Sequence, residues 1–241
     1  MEDLVPAPTV SQWQGLDREE TFYHNRSSEI KLALLQRWGW DEHSITYSHN
    51  SWGFRSQDCV EFSDVADPSL ITMGCSFTYG TGLPAHCIWP QLVADSLGLK
   101  LLNLATPGHG LTLGTKWLLD QGHTLVNPRA LIILIPPPGR LSWMERYSNT
   151  VIGNTYHMRE FDTYPRIIKN TALNSFAQYT SDYQTIQLWA THRGIPVYCF
   201  DGFGAVKEEG LARDLRHLGK PWHRSGADLV LRTIHDTNSS I

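Results

Sequence analysis

Two short segments of this 241-residue chain hold the residue types that a nucleophilic acyl transfer needs. The first is Gly74-Cys75-Ser76-Phe77-Thr78, which follows an apolar run over 70–73 and precedes a glycine turn, Gly80-Thr81-Gly82. A serine just past the C-terminal end of a buried strand stands where open α/β sheets keep their reactive groups. There its hydroxyl can face a cleft while backbone N–H groups face an oxyanion. The second segment is Asp214-Leu215-Arg216-His217. An acid and a histidine three apart in a loop can place a carboxylate beside an imidazole, fixing the ring's tautomer and leaving its other nitrogen for a hydroxyl. Each segment alone also fits a plainer reading, a strand-end serine and a solvated loop. What decides between them is whether the intervening elements bring both to one rim.

Those elements alternate. Residues 70–73 read as a strand and 89–97 as a helix with Trp89, Leu92, Val93 and Leu97 on one face, stopped by Gly98. Residues 99–104 read as a strand and 111–119 as a helix. The continuous apolar run 130–135 is the mark of a strand buried on both faces, and it ends at Pro136-Pro137-Pro138. A helix is expected over 172–192, with Ala172, Phe176, Tyr179, Tyr183, Ile186 and Ala190 at i+3/i+4 steps on its apolar face. A strand over 196–200 and a helix over 225–234 follow. Strands alternating with helices of this length predict a parallel sheet with right-handed crossovers. The fold expected is therefore a three-layer α/β/α sandwich, with a mostly parallel, flavodoxin-like sheet of four to five strands.

In such a sheet every strand's C-terminal end opens on the same rim. Segments 74–79, 103–110 and 136–140 and the loop after Phe200 should converge there. Residues 1–65 form a distinct first section, polar and aromatic, with a helix expected over 28–38 whose apolar face holds Ile30, Ala33, Leu34 and Trp38. The segment from Tyr47 to Arg55 reads as loop or short hairpin. With no linker behind it, this section is expected as an extension packed on a main domain of residues 66–241. Segment 139–165, irregular and aromatic, is expected to wall the pocket.

Composition narrows the partners. Hydrophobic residues make up 41% and charged residues 18%, and the net charge of -4 offers no basic footprint, so nucleic acid is not expected as a partner. Four cysteines show no C-x-x-C spacing, which argues for a reduced protein, and Cys75 and Cys199 fit small-hydrophobe positions. No stretch near the start resembles a signal peptide and no run approaches the ~18 apolar residues of a membrane helix. The cytoplasm is therefore the expected location and no membrane partner is expected. Eleven histidines show no i, i+4 pair with a nearby acid, so neither a metal nor another cofactor is expected. Nine Trp and nine Tyr fit stacking on sugars, and core filling more readily. A homo-oligomer is left open.

Taken together the blocks resemble the SGNH/GDSL hydrolase superfamily. Gly74-Cys75-Ser76-Phe77-Thr78 stands at its G-D-S block, Asn103 to Gly108 at its second block with Ala105 for the first glycine, and Asp214 to His217 at its final D-x-x-H block. Order and spacing match across residues 68–235. In detail the chain is similar to variants common in phage and environmental bacterial genomes, which suggests a virus-encoded protein. Those variants read N-x-x-G-F-R, then G-C-S-F-T-x-G, then a helix Trp, then D-x-x-H…H, here Asn50 to Arg55, Gly74 to Gly80, Trp89, and Asp214 to His223.

The resemblance implies that Ser76 is the nucleophile, His217 its general base and then the acid for the leaving alkoxide, and Asp214 the residue that orients His217. The backbone N–H groups of Ser76 and Gly108 would hold the oxyanion, at roughly 3 kcal/mol per donor. His223, six residues past His217, competes for the base role, and the D-x-x-H spacing favours His217. His109 is either a substrate contact or a surface histidine. Two departures stand out. Cys75 replaces the acid before the nucleophile, and Pro136-Pro137-Pro138-Gly139 stands where G-x-N-D would supply a third oxyanion donor, which proline lacks. Arg140, two residues beyond the missing Asn, could supply charge-assisted donors instead. The implied activity is that of a serine esterase or deacylase on a small-molecule or glycan ester. The same residues would serve an O-acyltransferase, and a non-catalytic carbohydrate-binding or virion protein would keep the fold with a degenerate oxyanion hole.

Overall fold

A computed structural model describes residues 9–56, 67–137, 140, 142–144, 151–154, 171–204 and 210–238, with backbone alone for 142–144, 151–154, 171–175 and 238. The first section supplies β1 (Thr9–Ser11), α1 (Glu19–Arg26), α2 (Glu29–Arg37) and β2 (Tyr47–His49). The main part continues with β3 (Ser69–Met73), α3 (Ser76–Tyr79), α4 (Trp89–Leu97), β4 (Lys100–Asn103), α5 (Thr112–Gln121) and β5 (Pro128–Leu134). It ends with β6 (Ser142–Met144), β7 (Val151–Asn154), α6 (Thr171–Arg193), β8 (Val197–Phe200) and α7 (Lys220–Asn238).

Four strands pair in the order β4-β3-β5-β8, all parallel. Because successive side chains on a strand point to opposite faces, the apolar runs feed two cores at once. Leu70, Ile132 and Leu134 turn to one face, where Trp89, Val93 and Ala94 of α4 and Val230 and Ile234 of α7 cover them. Ile71, Met73, Leu131 and Ile133 turn to the other, under Trp117 and Leu118 of α5 and Ile186 of α6. The result is the three-layer α/β/α sandwich, with four strands described. The chain leaves β3 by a helix on one face and leaves β4 and β5 by helices on the other. The β3/β5 junction is thus a topological switch point, where adjacent loops diverge and open a crevice.

A third core belongs to the first section. Phe22, Leu35, Trp40, Ile45 and Tyr47 pack with Tyr79, Leu83 and Ala212 of the main part, and β1 pairs antiparallel with β2. Residues 47–55 do turn back as a hairpin, closed by a His49–Arg55 bridge.

Several expectations shift. Helix α2 buries Leu35 rather than a face of Ile30 and Ala33, and Ile30 is 78% exposed, because the covering residues Phe22 and Trp40 lie on the Leu35 side. Phe176 is 69% exposed; among the described side chains α6 packs through Tyr179, Tyr183, Ile186, Trp189 and Ala190. Helix α7 begins at Lys220, five residues before the expected start. Pro221 is harmless in a first turn, and the buried side chains of Trp222 and His223 draw that turn into the core. Segment 139–165, expected as irregular, holds the antiparallel pair β6–β7, a two-stranded sheet of its own. Apart from these strands and Arg140 the expected pocket wall lies outside the described residues, as does the boundary between the two sections.

Candidate active site

Ser76 is the first residue of α3, three residues beyond Met73, and is buried. The tight step from strand to helix depends on Gly74. A Cβ there would sit 2.2 Å from Thr78 Oγ1 and 2.9 Å from the Leu134 carbonyl, so no other residue lets β3 and α3 come so close to the end of β5. The carbonyl of Ser76 accepts the N–H groups of Gly80 and Thr81 at 2.9 and 3.1 Å, closing the turn behind the serine. The first N–H groups of a helix have no carbonyl within it to bond, and the N–H of Ser76 is one of these.

The second loop docks on this turn. Asn103 Oδ1 accepts Thr72 Oγ1–H at 3.3 Å and the Ala105 N–H at 3.2 Å, while its Nδ2 donates to the Thr78 carbonyl at 3.1 Å. The Thr106 N–H reaches the Gly74 carbonyl at 3.4 Å. Gly108 and His109 follow on the same loop, half-buried. Arg140 lies against it, with its carbonyl 3.0 Å from the position of a Cβ on Gly110. Its Nη1 is buried and has no hydrogen-bond partner among the described residues. Pro136 is buried and Pro137 exposed, and Pro138 and Gly139 are outside the described residues.

The loop that carries Asp214 and His217 is a closed hairpin, 211–218. Leu211 bridges Leu218, and the Ala212 N–H donates to the His217 carbonyl at 3.0 Å. Leu215, with φ of 54°, takes the left-handed conformation that lets the chain reverse between Asp214 and His217. Asp214 Oδ2 lies 2.5 Å from His217 Nδ1, and Oδ1 accepts the N–H groups of Arg216 and His217, both at 3.0 Å. Burial alone would raise the Asp214 pKa. The hydrogen bond and charge of His217 and the two backbone N–H groups outweigh it, and the carboxyl is held below its ordinary range. With Nδ1 bound to Asp214, His217 leaves Nε2 for another partner.

This loop meets the Ser76 turn at two points. The Arg213 N–H donates to the Gly82 carbonyl at 2.9 Å. The ring of Phe77, next to Ser76, packs edge-on against the ring of His217 with centroids 5.4 Å apart. Ser76 and His217 themselves share no hydrogen bond among the described residues. The structure brings Ser76, Asp214 and His217 to one rim, pairs the last two, and sets Gly108 and Arg140 on loops of that rim. His223 does not belong with them. It is buried, and its Nδ1 accepts the N–H of Trp89 at 3.0 Å, capping α4. Burial, with the charges of Arg55 and His217, pushes its pKa down to about 3, so it is a neutral structural residue.

Sequence reasoning missed the second ring of support. Arg55 is buried and donates to the carbonyls of Tyr79, Gly80 and Leu83 at 3.0, 2.7 and 2.7 Å, with its cation over the rings of Tyr47 and Tyr79. A cation on the last carbonyls of a helix is favourable, and here it fixes the end of α3. His49 Nε2 lies 2.6 Å from the Tyr79 hydroxyl, and Trp40 donates to the Leu211 carbonyl at 2.8 Å. The Asn50-to-Arg55 motif was the available signal for Arg55. Nothing local marks the others.

Among the described residues no group of three or more His, Cys, Asp or Glu is placed to hold a metal ion, and no described helix is long and apolar enough to cross a membrane. A surface cavity bounded by Pro128, Arg129, His192, Arg193 and Ile195 opens at the N-terminal ends of β5 and β8, the rim opposite Ser76.

No family model matches the chain, and no curated protein matches it. Solved structures do. One is a carbohydrate esterase whose active site is described as having divergent catalytic and non-catalytic binding functions (13% identity, 70% of this chain and 65% of that one, TM-score 0.36). Another is a lipolytic-type protein of the G-D-S-L family from Desulfitobacterium hafniense DCB-2 (16%, 68% and 98%, 0.33). A third is the acetyl xylan esterase Est2A from the rumen bacterium Butyrivibrio proteoclasticus (10%, 71% and 64%, 0.38). The chain spans just under two thirds of the length of the first and third. At this overlap the likeness carries no weight for activity, which has to be argued from the site.

Proposed function

We propose that this protein is a serine ester hydrolase of the SGNH type, an esterase or deacylase, with Ser76, His217 and Asp214 as its triad. The supporting observation is the buried Asp214–His217 pair, docked beside the Ser76 turn through the Gly82 carbonyl. Ser76 Oγ attacks the acyl carbonyl while His217 Nε2 takes its proton, and ionised Asp214 stabilises the imidazolium. The tetrahedral oxyanion is held by the N–H groups of Ser76 and Gly108. The unpartnered Nη1 of Arg140 takes the part that Pro136 and Pro137 cannot. A buried guanidinium N–H without a partner is unfavourable, and an oxyanion would satisfy it. His217 then protonates the leaving alkoxide. Water, activated by the same ring, releases the acyl group as a carboxylate. Hydrogen bonds of this kind are often long before substrate arrives and tighten with it, so the open Ser76–His217 contact fits the reading.

The substrate class we favour is an O-acyl ester of a polar, carbohydrate-like alcohol, on the strength of the Trp and Tyr content. The test is turnover of p-nitrophenyl acetate together with labelling by a fluorophosphonate. Wild-type protein is expected to hydrolyse the ester and to carry one phosphonyl adduct at Ser76, and Ser76→Ala to do neither. An intact, folded wild type that is neither active nor labelled overturns the proposal. That outcome favours a binding protein with the same fold, the reading to which the two prolines at the end of β5 point.

A further inference from the structure

Four residues close a ring of hydrogen bonds between the two halves of the site. The Gly82 N–H donates to the Tyr47 hydroxyl at 2.8 Å. Tyr47 donates its one proton to Asp17 Oδ2 at 2.6 Å. Asp17 accepts the Arg213 guanidinium, from Nη2 at 2.8 Å and from Nε at 3.1 and 3.2 Å. The Arg213 backbone N–H then returns to the Gly82 carbonyl at 2.9 Å. Asp17 and Arg213 are 1% and 0% exposed and Tyr47 is fully buried, so water does not compete for any of these bonds. The rest of the guanidinium is taken up by the first section: it donates to the carbonyls of Glu42 (2.8 Å) and Gln12, and lies 4.0 Å over the ring of Trp13.

The ring's two outer members are the anchors of the chemistry. Gly82 ends the turn that begins at Ser76, and Arg213 is joined by one peptide bond to Asp214. The two inner members, Asp17 and Tyr47, come from the section before β3. We infer that Asp17 and Tyr47 are positioning residues of the active site, setting His217 and Asp214 against Ser76 through Arg213 and Gly82. The first section is then part of the catalytic apparatus rather than an appendage. Its catalytic consequence rests on the serine-hydrolase reading; its effect on His217 does not. Tyr47 is suited to the task because burial, and then the charge of Asp17, hold its pKa well above the ordinary value, so the hydroxyl keeps the proton it donates.

Tyr47→Phe opens the ring at one point while keeping the buried aromatic ring. Two readouts follow, in full-length protein that passes a circular-dichroism check. The first is the downfield proton resonance of His217 Nδ1–H, assigned by its loss in Asp214→Asn. The second is the split between kcat and KM on p-nitrophenyl acetate. Tyr47→Phe is expected to shift or broaden the resonance and to lower kcat by ~10-fold or more, with KM little changed, as misplacement of a reacting group does. A folded Tyr47→Phe with an unmoved resonance and unchanged kcat overturns the inference and leaves the ring as plain structure. Should Tyr47→Phe fail to fold, 3-fluorotyrosine at position 47 keeps the hydroxyl while altering its hydrogen bonding, and an unmoved His217 resonance there overturns it equally. If the wild type turns over no ester, the resonance still reports where His217 is held, so failure of the proposed activity and failure of the positioning role are told apart.

Discussion

Asp214 and His217 illustrate how one spacing can decide a role. Three residues apart on a closed hairpin, they meet at 2.5 Å. His223, six residues further on, falls on the first turn of α7 and caps α4 instead. Arg140 is the residue on which the oxyanion argument turns. Arg140→Ala is expected to lower kcat/KM on an acetyl ester by ~10²-fold, the usual loss for one oxyanion donor, with Arg140→Lys recovering part of it. An unchanged rate in Arg140→Ala would assign the guanidinium to the rim alone. At this scale the sequence was a good guide to local geometry, because Ser76 and the D-x-x-H pair sit within single turns, where spacing dictates which groups meet. It was silent on the capping role of His223, because that role depends on the N-terminus of α4, far away in the chain.

The decisive element is the strand–turn–helix unit from β3 to Gly82, and its glycines are where it is most exposed to change. Gly82 has φ of 77°, and a Cβ there would meet Ala212 Cβ at 2.8 Å and the Arg213 nitrogen at 3.2 Å. Gly82→Ala is therefore expected to destabilise the protein by roughly 2 kcal/mol, from the left-handed backbone and the clash together. It should also push the 211–218 hairpin away from Ser76, so that activity falls further than the loss of stability accounts for. Urea denaturation beside initial rates measures both. The four sheet strands and the longer helices of the main part were legible because their apolar periods are regular, and α4 matches its expected span residue for residue. By contrast α3, β6 and β7, of three or four residues each, are too short to show a period. Helix α1 was not, because only Phe22 and Asn25 on it are buried and eight residues with so few apolar positions leave no stripe to read. Phe176 shows the converse: correct helical spacing does not ensure that a covering layer exists.

Across the whole molecule, acid is the expected weak point. Above pH ~6.5 His223 is neutral in both the folded and unfolded chain. As pH falls below that value the unfolded chain takes up a proton that the folded one refuses until about pH 3. Stability should therefore drop by ~1.4 kcal/mol per pH unit through this window, roughly 5 kcal/mol in all. Asp214, whose carboxyl is held below its ordinary range, adds to the loss at the acid end as it is protonated. Denaturation curves at pH 7, 5 and 4 check this, with a flatter dependence expected for His223→Gln. An equal slope in that variant would place the acid sensitivity elsewhere.

The ion pair between Asp17 and Arg213 also bears on how the protein comes into being. Its partners are 196 residues apart in the chain. During synthesis the first section leaves the ribosome early and holds a carboxylate whose counter-charge is not yet made. Contacts of such long range close late and slow folding, and partly folded chains of this size expose apolar surface in the meantime. Phe22, Leu35 and Trp40 must wait with Asp17 for Ala212 and Arg213 to arrive. Under the proposed mechanism, a chain released before that point keeps Ser76 but lacks both the base proposed for it and the clamp for its turn, so a broken-off product is expected to be inert rather than a loose, unselective hydrolase.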